Sequence, residues 1–220
     1  MHHPPPEPGA APTAFAWTDP LEHLPLRLAS SPTWIEVALA DLDAVLIDHA
    51  FCEHKAAVSA LAIINRYSDV PALVRPMLAL AREEMMHMRQ VLDVLDARNL
   101  VLGKPTSDRY VTELRRRLAT EGEGLGGLGD HLLVLAFVEA RSCERFRLLA
   151  RALCGDADAE RDRLGRFYRQ LAEAEGRHWE LFRDLACEVL PRSRVLDRIE
   201  QASGIEAEIV RSLPVEARMH

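Results

Sequence analysis

Two glutamate–histidine pairs of the same spacing occur in this sequence, Glu84 with His87 and Glu175 with His178. On an α-helix, residues three apart lie on one face, so each pair presents a carboxylate and an imidazole to the same neighbour. Both groups are common metal ligands. One such pair arises easily by chance in a chain with nine histidines, so the surrounding residues must decide what the pairs do.

The positions four and seven residues away on the same helical face are apolar around both glutamates. They hold Met77, Leu80, Met88 and Val91 around Glu84, and Tyr168, Leu171, Trp179 and Phe182 around Glu175. Both pairs are therefore expected to point into a core. Because a buried carboxylate needs a compensating partner or a metal, two pairs in matching apolar settings favour a metal site over two ordinary buried pairs.

Two further glutamates, Glu53 and Glu139, each interrupt an otherwise apolar helical face. One Glu from each of two helices and Glu-x-x-His from each of two others is the ligand inventory of di-iron and di-manganese carboxylate bundles. The predicted metal ligands are Glu53, Glu84, His87, Glu139, Glu175 and His178. Such a set suits two iron or two manganese ions with open positions for dioxygen or peroxide.

Glu144 competes with Glu139 as the ligand of the third long helix. In an antiparallel hairpin, two ligands at one height lie equally far from the turn. Glu139 is 15 residues before Cys154 and Glu175 is 17 after Asp158, whereas Glu144 is only 10 before Cys154. This comparison favours Glu139. The repeated dipeptides Cys52-Glu53 and Cys143-Glu144 favour Glu144 and keep that alternative open.

The composition predicts an all-helical protein. The chain has 220 residues, is 48% hydrophobic but only 5% aromatic, and is rich in Ala, Leu and Arg. Its formal charge of −7 argues against a wholly basic nucleic-acid binder but not against local basic patches. The four cysteines form no Cys-x-x-Cys pair, so buried free thiols in a reducing cytoplasm are expected. No apolar stretch is long enough to span a membrane.

The distribution of proline and glycine divides the chain into a proline-rich, largely irregular segment, 1–29, and a helical domain, 30–220. Ser31 and Pro32 indicate the start of the first long helix, and the long helices are predicted at 31–67, 71–99, 130–153 and 158–189. The connection between the second and third is long enough for a crossover and contains a short helix near 108–119. Its glycines, 122–129, predict either a mobile loop or a flexible connector. Asp130 is the expected cap of the third helix, and 192–212 should form one or two short helices.

Three stretches of the sequence resemble one known family. They are 46–57 (Leu-Ile-Asp-His-Ala-Phe-Cys-Glu-His-Lys-Ala-Ala), 80–87 and 137–146, of which Glu-Ala-Arg-Ser-Cys-Glu-Arg-Phe is the most specific. Phe167 and Tyr168, followed by Glu175 and His178, continue the similarity. The family is tRNA-(2-methylthio-N6-isopentenyladenosine) hydroxylase, the MiaE family, and the resemblance covers about 30–190.

This resemblance implies a ferritin-like four-helix bundle and an O2-dependent non-haem di-iron monooxygenase. The implied substrate is the isopentenyl group of a hypermodified adenosine beside the tRNA anticodon, with electrons from an external reductase or ferredoxin-type donor. Phosphate contacts would come from arginine-rich stretches near the metal. The candidates are Arg116, Arg117, Arg141 and Arg145. Leu80, Phe137, Phe146 and Trp179 are candidates for the pocket wall or the core.

The metal site alone does not define the reaction, because storage, oxidase, peroxidase and hydroxylase activities share this architecture. One alternative is an iron-handling or peroxide-detoxifying protein without an RNA substrate. Another is a di-iron oxygenase acting on a small apolar molecule, which would need an apolar tunnel without a basic rim.

Overall fold

The computed structural model describes residues 19–118 and 125–220, with only the backbone described at Leu125. This part of the chain forms seven helices and no strand. The helices are α1 (Pro32–Ala40), α2 (Leu42–Arg66), α3 (Pro71–Ala97), α4 (Arg109–Leu118), α5 (Leu125–Leu153), α6 (Ala159–Val189) and α7 (Arg192–Ser212). The predicted all-α class is confirmed.

Four long helices form the bundle. The short turns after α2 and α5 fold each of these helices back along its successor, so α2 packs against α3 and α5 against α6. The crossover from α3 to α5 carries α4, as predicted. Helix α7 packs against α4, α5 and α6. The predicted pair of hairpins with a long central crossover is therefore present.

The first long helix is divided at Asp41, contrary to the prediction of one helix over 31–67. The backbone N–H of Asp41 donates to the carbonyl of Val37 at the end of α1, while its carboxylate accepts from the N–H of Ala44 at 3.0 Å. An Asp side chain can compete for backbone donors in this way, which makes it a good helix cap and a poor interior residue. The predicted start at Ser31 and Pro32 is confirmed.

Helix α5 begins five residues before its predicted cap. Asp130 lies inside the helix, where it is buried and pairs with Arg198 at 2.9 Å. Gly129 lets this end of α5 approach α6 closely, since a Cβ there would come within 2.2 Å of Leu190 Cδ1. Gly126, Gly127 and Gly129, which were predicted to lie in the loop, are therefore part of α5. Gly122 and Gly124 lie outside the described residues.

The two ends of the described chain pack onto the bundle. Residues 19–31 contain turns and no helix, and Leu26 is part of the core. Residues 192–212 form one helix, and after it Met219 is fully buried with its N–H bonded to Asp48 at 2.8 Å. The remainder of the predicted irregular segment, 1–18, falls outside the described residues. Among the described helices, none has the length and apolarity to cross a bilayer.

Candidate metal centre

The six predicted ligands meet in the middle of the bundle. Helix α2 contributes Glu53, α3 contributes Glu84 and His87, α5 contributes Glu139, and α6 contributes Glu175 and His178. Each is at most 4% exposed. Their N and O atoms form two groups in which all ligand atoms lie within 4.8 Å of one another, Glu53/Glu84/His87/Glu175 and Glu84/Glu139/Glu175/His178. Because Glu84 and Glu175 belong to both groups, the arrangement fits two adjacent cations that share carboxylates.

Both imidazoles present Nδ1 to the centre. Nδ1 of His87 lies 3.4 Å from Glu84 Oε2 and 3.6 Å from Glu53 Oε2. Nδ1 of His178 lies 2.9 Å from Glu84 Oε1 and 3.5 Å from Glu175 Oε2. The other ring nitrogens face Glu83, which identifies Nδ1 as the atom available to a metal in both rings.

Several of these atoms are buried without a hydrogen bond. Within the described chain, no partner with hydrogen-bond geometry exists for Glu84 Oε1, Glu175 Oε2, or Nδ1 of His87 and His178. Leaving such atoms unpaired costs roughly 1–3 kcal/mol each. Oxygen and nitrogen atoms that converge without bonding one another are what a pair of cations requires, so the donor set fits a di-iron centre.

The charges of the converging side chains also fit bound cations. Burial, and then the charge of neighbouring carboxylates, raises the pKa of Glu84 and of Glu139. Burial alone would lower the pKa of His87, but Glu53 and Glu84 raise it to about 10. The carboxylates therefore carry an excess of negative charge that protons or metal cations must neutralise.

Two supporting residues were not assigned a role from the sequence. His49 Nε2 lies 2.6 Å from Glu53 Oε1, and its ring packs 4.8 Å from that of Phe146. Burial lowers the pKa of His49 to about 3, so the ring is neutral and Nε2–H donates to the carboxylate. Glu83 lies 3.4 Å from Nε2 of His178 and 4.0 Å from Nε2 of His87. Their spacing could have indicated this role, because each lies four residues before a predicted ligand on its own helix.

Glu144 lies outside both groups of ligand atoms. Its carboxylate accepts from the N–H and Oγ of Ser30 at 2.8 and 2.7 Å and pairs with Arg141 Nη1 at 3.0 Å. Glu144 is fully buried in this second polar cluster. The positions of the two side chains thus favour Glu139 over Glu144 as the metal-facing carboxylate of α5.

A cavity of about 50 Å³ adjoins the centre. Four of the predicted ligands line it together with Leu135, Val138 and Phe146, and Met219 and His220 lie on its wall. Of the predicted wall residues, Phe146 is present, while Leu80, Phe137 and Trp179 are buried in the core. The reacting end of a substrate at this centre would meet these apolar side chains beside the carboxylates, while Asp108, Arg115 and Ser142 add polar groups to the wall.

The four candidate arginines lie in different settings. Arg141 is fully buried between Glu144 and Glu206, with Nη2 2.6 Å from Glu206 Oε1. Its guanidinium is thus not accessible to a phosphate, contrary to the expectation. On α4, Arg116 pairs with Glu113 and Arg117 with Glu208. Arg145 lies on the wall of a second, larger cavity.

A helical bundle in which four carboxylates and two histidines converge at its centre defines a ferritin-like carboxylate protein of the di-iron class. Comparison with known families narrows this class further. Residues 19–220 match the family described as tRNA-(MS2IO6A)-hydroxylase (MiaE), and the chain belongs to this family.

Individual relatives agree with the family match. The chain is 41% identical over 187 residues to the tRNA 2-(methylsulfanyl)-N(6)-isopentenyladenosine(37) hydroxylase of Pseudomonas putida, covering 85% of this chain and 87% of that one. It is 29% identical to the protein of the same name from Salmonella typhimurium, with 89% and 87% covered. Among solved structures, it resembles "Protein 43 with aldehyde deformylating oxygenase activity from Synechococcus", with a TM-score of 0.79, 35% identity, and 89% and 94% covered.

Proposed function

We propose that this chain is an O2-dependent di-iron monooxygenase that hydroxylates the isopentenyl group of 2-methylthio-N6-isopentenyladenosine beside the tRNA anticodon. The observation that carries this proposal is the family match over residues 19–220, together with a carboxylate and histidine set that fits two metal ions. The names of the Pseudomonas and Salmonella relatives support the same substrate. A tRNA substrate also implies that the protein acts in the cytoplasm.

The residues proposed to hold the metal are the six that converge in the bundle. They are Glu53, Glu84, His87, Glu139, Glu175 and His178. We propose iron, with manganese as the alternative, since both accept carboxylate and imidazole ligands. When bound, a di-iron centre supplies the activation of O2 that such an oxygenation needs.

The chain's own residues hold the ligands in place and shape their surroundings. Neutral His49 orients Glu53 by donating to its carboxylate. Glu83 faces the outer nitrogens of His87 and His178, which leaves Nδ1 of each ring free to bind metal. Leu135, Val138 and Phe146 limit water around the reacting C–H group.

Electrons for the reaction must come from outside the chain. Inserting one oxygen atom of O2 into a C–H bond while the other becomes water consumes two electrons and two protons. The four cysteines are free thiols and form no disulfide among the described residues. We therefore propose a reductase with a ferredoxin-type carrier as partner.

Mass spectrometry of tRNA nucleosides tests the function. Isopentenylated, methylthiolated tRNA is incubated with iron-loaded protein, reductant and O2, and a parallel sample uses metal-free protein. We expect an iron-dependent gain of one oxygen atom on the modified adenosine, with the label retained from ¹⁸O2. Absence of the gain, with two irons bound and reduced, would refute the proposal.

A second candidate is oxygenation of an apolar aldehyde, because a solved structure with aldehyde deformylating oxygenase activity is 35% identical to this chain. The same iron-loaded protein can be given a long-chain aldehyde under the same conditions. Release of formate without any modification of tRNA would favour this candidate. The arginines of the larger cavity weigh against it, because an apolar substrate needs no such charge.

A further inference from the structure

A second cavity, larger than the one beside the metal centre, lies elsewhere in the described chain. It has a volume of about 560 Å³ and lies between residues 28–34, the start of α4, the end of α7 and the segment that follows it. Four arginines line it, Arg109, Arg145, Arg211 and Arg218, whereas Glu216 is the one acidic residue on the described wall. The cavity is thus locally basic in a chain whose formal charge is −7.

Arg145 is a partly buried cation with neutral partners. Its Nε donates to Ser30 Oγ at 3.3 Å, its Nη1 donates to the carbonyl of Arg218 at 3.1 Å, and its guanidinium lies 4.7 Å from the ring centroid of Trp34. No carboxylate of the described chain lies within 4.0 Å of it. Burial, and then the nearby charge of Arg141, lowers the pKa of Arg145 to about 10, so it remains charged at neutral pH.

The charges of Glu144 and Glu206 act on Arg145 from a distance and raise its pKa, but with no carboxylate in contact its guanidinium can still bind a further anion. Arg109 and Arg211 are exposed at the same cavity, and neither forms an ion pair with any residue that the structure describes. Arg218 differs, since its charge is met by Asp48 at 2.9 Å. Three arginines without a carboxylate within 4.0 Å and one paired arginine therefore face one cavity of nucleotide size.

The cavity shares a wall with the metal centre. His220 lines both this cavity and the small cavity beside Glu53 and Glu139. Its ring stacks on that of Tyr110 at 5.3 Å, and its Nε2 lies 3.0 Å from Ser142 Oγ. A ligand in the larger cavity would therefore lie next to the substrate's reacting position.

We propose that this cavity binds a phosphate-bearing nucleotide of the anticodon loop next to the modified adenosine, with Arg145 as the inner phosphate contact and Arg109 and Arg211 at the entrance. Arginine forks suit phosphate oxygens, and single-stranded RNA is held mainly through its backbone and through stacking. Phosphate as the ligand follows from the cavity itself. RNA as the source of that phosphate rests on the proposed function.

Binding of RNA to the full chain tests this inference without metal or O2. A fluorescently labelled anticodon stem-loop that lacks the isopentenyl group is titrated by anisotropy at several salt concentrations. We expect Arg109→Glu and Arg211→Glu each to weaken binding about tenfold and to reduce the slope of log K against log salt by about 0.7. Arg75→Glu, at an exposed position on α3 away from the cavity, is the matched control and should bind as the unmodified chain does.

Arg145→Gln is expected to weaken binding at least as strongly. Because this change also removes contacts to Ser30 and Arg218, its thermal unfolding is compared with that of the parent. The two entrance variants keep the test independent of that comparison, since both side chains are exposed. If Arg75→Glu weakens binding as much as the cavity variants do, the RNA is attracted by general positive charge and the inference is refuted. Unchanged binding in all three cavity variants would also refute it.

Competition distinguishes RNA from a small anion. Inorganic phosphate and adenosine monophosphate are added to the preformed RNA complex, and both should displace the RNA only at far higher concentration. If phosphate alone binds as tightly as the stem-loop, the cavity is a small-anion site and RNA is not its ligand. If the cavity variants bind RNA normally and the protein still hydroxylates RNA, only the inference about the cavity is refuted. If the variants bind RNA more weakly but the parent protein hydroxylates no RNA, the inference about the cavity is supported and the proposed function is refuted.

Discussion

Replacing a carboxylate by an amide at each of two positions on α5 distinguishes the proposed metal ligand from a structural carboxylate. Glu139→Gln and Glu144→Gln are the same chemical change five residues apart, and both side chains are buried. Glu139 faces the other ligands, whereas Glu144 accepts two hydrogen bonds from Ser30 and pairs with Arg141. We expect the first change to affect metal content and the second to affect stability.

The size of the stability change follows from what Glu144→Gln leaves behind. Breaking a buried ion pair by neutralising one partner costs roughly 3–5 kcal/mol. Arg141 still has Glu206 at 2.6 Å and the carbonyl of Leu28 at 2.9 Å, so the low end, about 3 kcal/mol, applies. At roughly 2–4 °C per kcal/mol for a chain of this length, the melting temperature should fall by about 6–12 °C.

Glu139→Gln should behave in the opposite way in metal-free protein. Burial and the charge of Glu175 disfavour the ionised form of Glu139 and raise its pKa well above its usual value. A neutral amide at this position therefore should not lower the melting temperature. Iron content should fall, because an amide is a weaker ligand than a carboxylate.

Calorimetry of the metal-free variants and iron analysis of the reconstituted variants measure the two effects separately. Glu144→Gln with two irons and a lowered melting temperature, beside Glu139→Gln with iron lost and stability kept, is the expected result. The reverse pattern in iron content would assign the ligand to Glu144 and refute the hairpin argument. An unchanged melting temperature in Glu144→Gln would refute the account of the buried cluster.

Three further outcomes test the centre. Glu84→Ala and His178→Ala should each lose iron and activity while circular dichroism still shows most of the helicity, and full iron occupancy in both would contradict the ligand assignment. Glu83→Gln should lower metal affinity by roughly 10–100-fold, as loss of an outer carboxylate does, and competition with a chelator measures this; an unchanged affinity would remove Glu83 from the support of the two rings. Removing iron from the parent protein should lower its free energy of unfolding, by about 2.7 kcal/mol if the free metal is at 100 times its dissociation constant. Calorimetry with and without a chelator measures this difference. An unchanged melting temperature would mean that the carboxylates bind no metal.

The fold and the convergence of the six carboxylate and histidine side chains were predictable because they depend on the helical period and on the distance of each residue from a turn. Apolar residues at helical spacing identify the long helices, and short turns between them force antiparallel pairing. Residues equally far from a turn then meet at one height, which brings Glu53 to Glu84 and Glu139 to Glu175. The local stop signals were harder to interpret. Asp41 divides a helix that periodicity would continue, and Asp130 looks like a cap but pairs with Arg198, 68 residues later.

The arginines show why the contacts of charged side chains outside the centre were harder to predict than the convergence of the glutamates and histidines. Arg141 belongs to a run of basic residues on α5 that would form a solvated face in an isolated four-helix bundle. Helix α7 and residues 19–31 cover that face, and Glu206 and Glu144 make Arg141 an internal ion-pair partner. The similar dipeptides Cys52-Glu53 and Cys143-Glu144 differ for the same reason. Glu53 faces Glu84, His87 and Glu175, whereas Glu144 faces Ser30 from the segment before α1. Elements outside the bundle therefore decide which carboxylate of α5 faces the centre of the bundle, and spacing within one helix carries no information about those elements.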